Sequence, residues 1–105
     1  MKETKLISGM VMYTIKNDSL RDAVREGIIE KFGNLPLDQS TYEIRCAARG
    51  SNEIKGQLEE ICKRAKTDSG ADFCEDDFIT FYRATNSNYL DDQRDRIERI
   101  TIIGK

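Results

Sequence analysis

The chain contains no histidine and no tryptophan, a single proline, and only three cysteines among 105 residues. Lacking histidine, it has no side chain that ordinarily titrates near neutral pH and none of the commonest zinc and iron ligand, so Ser-His and Cys-His nucleophile pairs are excluded. Cys46, Cys62 and Cys74 are odd in number and nowhere spaced as Cys-x-x-Cys, which speaks against a disulfide framework and a zinc knuckle; they read as reduced thiols. An excess of either charge is also missing: 17 Lys and Arg stand against 19 Asp and Glu, a net charge of -2. No global basic field draws the chain to nucleic acid or to a membrane surface, and any such contact must be local. There is no long apolar run, and Met1-Lys2-Glu3-Thr4-Lys5 carries no apolar segment or cleavage-like site. The expectation is therefore a cytoplasmic protein without a membrane partner.

What is present, at 38% hydrophobic residues, suffices for one domain over residues 1–105. Met10-Val11-Met12-Tyr13-Thr14-Ile15 reads as a central strand, with Val11, Tyr13 and Ile15 on one face and Met10, Met12 and Thr14 on the other. A run apolar on both sides predicts cover on both faces. Gly9 before it suggests a bend or bulge. Asn17-Asp18-Ser19 then caps a helix whose face is Leu20, Ala23, Val24, Gly27, Ile28 and Phe32 and whose end is Gly33. Leu35 to Asp38 holds the proline and suits a short edge strand or turn, and Thr41 to Cys46 alternates as a half-buried antiparallel strand.

Arg49-Gly50-Ser51-Asn52 reads as a turn ending in the N-cap Asn52, before a second helix with Ile54, Leu58, Ile61, Cys62 and Ala65 on one face, stopping in Thr67 to Gly70. Phe78 to Tyr82 is a further strand and Thr85 to Asn88 a loop. From Tyr89 to Glu98, acids come first (Asp91, Asp92) and Arg94, Arg96 and Arg99 come last, the order that a helix macrodipole favours, which predicts a short extra helix. Ile100 to Ile103 closes the chain as a last strand.

Strand, helix, strand, helix, strand is the α+β order of a ferredoxin-like split βαβ sandwich, an antiparallel sheet with two helices on one face, here with a C-terminal extra helix and strand. If both helices share a face, the other keeps apolar residues among Met10, Met12, Phe78 and Tyr82, and a homodimer covers them most simply. The long connection from Arg83 to Arg99 would further let Ile100 to Ile103 join the sheet edge of a partner subunit.

Met12-Tyr13-Thr14-Ile15, the helix end Glu30-Lys31-Phe32-Gly33 and the phrase Leu35-Pro36-Leu37-Asp38-Gln39-Ser40-Thr41-Tyr42-Glu43-Ile44 carry a resemblance. Over roughly residues 9 to 83 the chain resembles small ferredoxin-like phage and bacterial proteins related to the CRISPR-associated adaptation nuclease and to virulence-associated protein D. The resemblance implies dimers that exchange C-terminal strands, and an aspartate directly after the first-strand tyrosine that holds a divalent metal for phosphodiester cleavage. Thr14 stands at that position here. A hydroxyl is a poor ligand for a hard cation, so the group that would carry the nuclease chemistry is missing.

The expected function is thus a dimeric, non-catalytic interaction module of phage or bacterial defence, binding protein or structured nucleic acid, without a cofactor. The alternative is a magnesium-dependent, toxin-like endoribonuclease in which Asp18 or Asp38 replaces the lost ligand, although Asp18 reads first as a helix N-cap. Arg45, Arg49, Lys55, Arg94 and Arg96 are the candidate nucleic-acid contacts, and Tyr13, Tyr42, Phe81 and Tyr82 could stack bases if they faced outward. Asp68, Asp72, Glu75, Asp76 and Asp77 read as a solvated acidic loop rather than a calcium site, lacking EF-hand spacing. Cys46 and Cys62 fall on apolar faces, leaving Cys74 as the exposed thiol.

Overall fold

A computed structural model describes residues 5–33, 36–38, 41–85 and 96–104. Among them the elements run β1 (Lys5–Thr14), α1 (Asp18–Phe32), β2 (Pro36–Asp38), β3 (Thr41–Ala48), α2 (Ser51–Ser69), β4 (Phe78–Thr85) and β5 (Arg96–Ile103). The strands form one antiparallel sheet in the order β2-β3-β1-β4-β5. β1 and β2 run parallel with β3 between them, the split βαβ relation of a ferredoxin-like sandwich, to which β5 adds a fifth strand beyond β4.

Alternation along the strands sends Ile7, Val11, Tyr13 and Ile15, with Tyr42, Ile44, Ala48, Ile79 and Phe81, to the side occupied by the helices, where all are buried. The helices answer with Leu20, Val24 and Ile28 from α1 and Ile54, Leu58, Ile61, Cys62 and Ala65 from α2. Both helices end at a left-handed glycine, Gly33 and Gly70, whose amides bond to Ile29 and Lys66 carbonyls. Among the described residues the central strand is therefore covered by helices on one face only, contrary to its two-sided apolar pattern.

Gly9 marks no bulge. It pairs regularly with Ile44 on one side and Arg83 on the other. Its role is steric: a Cβ there would fall on the Tyr82 carbonyl oxygen and lie 2.8 Å from the Phe81 ring, which packs in the vacant space.

The caps sit one or two positions from their expected places. Asn17, not Asp18, caps α1, its side chain accepting from the Leu20 amide at 2.9 Å. Asp18 is instead a first-turn acid paired with Arg21. α2 starts at Ser51 with Gly50 rather than Asn52 as N-cap, and Glu53 reaches back to accept from the Arg49 amide at 2.7 Å.

The expected helix from Tyr89 to Glu98 is corrected at its end, because Arg96 to Glu98 belong to β5; residues 89–95 lie outside the described residues. Cross-strand pairing decides this over helical charge order: Glu98 lies opposite Arg83, Arg99 opposite Tyr82 and Ile100 opposite Phe81. β5 accordingly completes the sheet as the neighbour of β4.

The acidic loop after α2 divides in two. Asp72 is exposed, and its hydrogen bond to Lys66, with help from the Phe73 amide, holds its carboxyl below the usual range. Asp77 is 2% exposed and accepts from the Lys16 amide at 3.0 Å and the Cys74 amide at 2.7 Å, tying the loop to the end of β1.

Two substitutions test this account. Gly9→Ala should lower the unfolding free energy in urea by about 2–3 kcal/mol through overpacking. Asp77→Ala should cost about 2–4 kcal/mol by leaving two backbone donors without an acceptor, whereas Asp76→Ala, on an exposed residue, should stay within about 0.5 kcal/mol.

Candidate interaction surface

The side of the sheet away from the helices presents Met10, Met12 and Phe78, which are 40%, 38% and 37% exposed, with Tyr82 half-buried beside them. Single exposed apolar residues are ordinary, but these adjoin across paired strands. Register aligns them in rows. Glu43, Met10, Tyr82 and Arg99 lie directly opposite one another across β3, β1, β4 and β5. Thr41, Met12, Thr80 and Thr101 form the next row, in which Thr41 and Thr80 are buried, and Thr14 pairs with Phe78 beyond it. The centre is apolar and hydroxylic, and the first row ends in an exposed carboxylate on one side and an exposed guanidinium on the other.

A second cluster gathers where α2 begins. The Arg83 Nη1 donates to Ser51 Oγ at 2.7 Å, and that hydroxyl donates to Glu98 Oε1 at 2.6 Å. Arg49 and Glu53 complete a cleft of about 620 Å³, with the Arg49 Nε 3.6 Å from Glu53 Oε1. Here two cations face two carboxylates, so the cluster fastens α2 to the β4–β5 pair and offers no uncompensated charge to a ligand. It was not legible beforehand, because Ser51, Arg83 and Glu98 are far apart in the chain; the only local signal was Ser51 beside a helix start. A groove of about 470 Å³ between α1 and α2 sets Glu26, Glu30, Glu60 and Asp68 beside Lys31 and Arg64 over an Ala23, Ile61 and Ala65 floor.

The candidate residues do not converge. Thr14 is exposed at the end of β1, and Asp18 is engaged with Arg21 at 2.7 Å on the surface. Asp38 lies on the edge strand β2, with β3 between it and β1, and its side chain lies outside the described residues. Among the described residues no three Asp, Glu or Cys side chains are grouped so as to hold a metal ion. Arg49 is in the cleft above, and Lys55 is half-buried on α2. The side chains of Arg45 on β3 and Arg96 on β5, and the whole of Arg94, lie outside the described residues.

Three of the four aromatics that might have stacked bases point the other way. Tyr13, Tyr42 and Phe81 are buried under the helices, Tyr13 and Tyr42 stacked with centroids 5.9 Å apart and planes at 16°. Burial raises the Tyr13 phenol well above its ordinary range, and the adjoining Tyr42 hydroxyl adds to this. Of these four, Tyr82 alone is on the open face, on the same strand as Phe78.

No protein-family model, curated protein or solved structure matches the chain. Among the described residues no helix is long and apolar enough to cross a membrane.

The thiols complete the chemistry of the surface. Cys74 is exposed, Cys46 is half-buried and Cys62 is buried. Burial, reinforced by Glu59, pushes Cys62 up to about 12; burial and Glu53 also raise Cys46, with Lys31 opposing. The thiolate is the reactive form, so native-state labelling at pH 8 should modify Cys74 first, Cys46 more slowly, and Cys62 about a hundredfold or more slower than Cys74. Peptide mapping by mass spectrometry over time checks the order.

Proposed function

We propose that this chain is a non-catalytic interaction module that works as a homodimer, with the open face of its sheet as the docking surface. The observation that carries this reading is the adjoining exposure of Met10, Met12 and Phe78 beside Tyr82. Covering side chains of this size stabilises an association by about 1–3 kcal/mol each before the cost of bringing the partners together. A second sheet is the complement that a flat, pleated face fits best, and a second copy supplies one without any further component.

A nucleic acid fits less well. Binding to phosphates needs a positive track, yet the described charges flanking the apolar centre are one carboxylate, Glu43, and one guanidinium, Arg99. Base stacking would have only Tyr82 and Phe78 of one strand among the described residues, rather than the sheet of exposed rings such readers use. The resemblance over residues 9 to 83 implies a setting of phage or bacterial defence, and Thr14 in place of the expected aspartate favours binding over cleavage within it.

Sedimentation from low micromolar to submillimolar concentration should show a monomer–dimer equilibrium. Met12→Lys should raise the dissociation constant about a hundredfold while leaving the far-ultraviolet spectrum unchanged, since the side chain is exposed. A concentration-independent wild-type monomer would overturn the proposal. Incubation with RNA and DNA, in magnesium or chelator, should give no cleavage. Magnesium-dependent cleavage that Asp18→Ala abolishes would replace this reading with the endoribonuclease.

A further inference from the structure

We infer that the two copies pack face to face about a twofold axis that runs close to the strand direction, between β1 and β4, so that Glu43 of each copy meets Arg99 of the other. This inference rests on the homodimer proposed above and assigns its symmetry and its specifying contacts.

Glu43, Met10, Tyr82 and Arg99 form a row whose members are directly opposite on four adjacent strands. Adjacent strands are about 4.8 Å apart, so the charged ends of the row are roughly 14 Å apart with the two apolar residues between them. Neither Glu43 nor Arg99 takes part in a hydrogen bond or ion pair among the described residues, although both are exposed. They are held at opposite margins of an apolar strip, each without a partner of the other sign among the described residues.

A face-to-face dimer has two simple choices of axis in the plane between the sheets. An axis across the strands maps each strand onto itself, setting Glu43 towards Glu43 and Arg99 towards Arg99. Such like-charge contacts at an interface cost several kcal/mol. An axis along the strands, passing between β1 and β4, exchanges β1 with β4 and β3 with β5. It lays Met10 against the partner's Tyr82 and sets Glu43 against the partner's Arg99, twice by symmetry. Packed sheets are about 10 Å apart, a gap that a glutamate and an arginine standing on opposing faces can bridge. The same row thus supplies an apolar centre and a polar rim, which is how specific interfaces are built.

Sedimentation and calorimetric dilution of the full chain and three charge variants test the inference. Glu43→Arg and Arg99→Glu should each weaken dimerisation about tenfold or more, because each creates two like-charge contacts. The double variant carrying both changes should return to within about threefold of the wild-type dissociation constant. Thermal unfolding at concentrations where every form is monomeric should be little changed, both side chains being exposed. A dimer that the single changes leave intact, or that the double change fails to restore, would overturn this axis while leaving the open face as the interface. A wild-type chain that never dimerises would overturn this inference together with the reading beneath it.

Discussion

Two helices can cover only one side of a five-stranded sheet, and most of this molecule follows from that shortage. Every strand that contributes to the core does so with alternate residues, and the other alternates lie on the side away from the helices, where Met10, Met12 and Phe78 are exposed. On β1 the consequence is sharpest, since Val11 and Tyr13 are buried while Met10 and Met12 between them are not. The strand is apolar on both sides because it is central, not because both sides are covered within the chain. Gly9 belongs to the same economy of space: the Phe81 ring reaches over β1 only because nothing projects there.

Much of the covered side could be read directly from residue spacing. The faces of α1 and α2, the alternation of Thr41 to Cys46 and the strand at Phe78 are local patterns, each visible within a single element. The presence of an open apolar face also followed, since a split βαβ order places both helices together. What could not be read locally was anything decided by distant partners. Arg94, Arg96 and Arg99 after Asp91 and Asp92 imitate the charge order of a helix, yet Arg96 to Glu98 are extended because β4 is there to pair with them. Within the capping stretch Asn17 to Ser19 the cap is Asn17 rather than Asp18, and Gly50 rather than Asn52 caps α2; spacing alone does not separate such neighbours, since Asp18 and Asn52 have similar capping ability. Gly9 looked like a bulge because its reason, Phe81, is far along the chain.

The site shows the same division. Composition had pointed to local charge, and the candidates Arg49 and Lys55 are indeed in the structure's β3–α2 region, but Arg49 faces Glu53 and Arg83 is tied through Ser51 to Glu98. Arg49 and Arg83, which look available in the sequence, are thus engaged with acids once folded. Among the acids between Asp68 and Asp77, identical chemistry divides by place: Asp77 is a buried acceptor for two amides, and Asp72 is a solvated partner of Lys66. No feature of the loop's composition distinguishes them. The distinction arises because the chain must turn back into β4 beside the end of β1, where backbone donors would otherwise go without acceptors.

β5 is where fold and surface meet. A ferredoxin-like sheet is complete at β4, and the fifth strand has to be held from outside that plan. Ile100, Ile102 and Ile103 pack on the margin of the core, while Glu98 is hooked through Ser51 to Arg83 at the start of α2. With the strand held there, alternation sends Arg99 to the opposite side from Glu98, onto the open face beside Tyr82. Removing β5 in thought leaves a face with an acid on one margin, an apolar middle and an unpaired strand edge on the other. Adding it closes that edge and places a cation opposite the acid. The strand that enlarges the uncovered area is therefore also the one that makes its two margins differ in charge, which a surface must do if one orientation of a partner is to be preferred over its reverse.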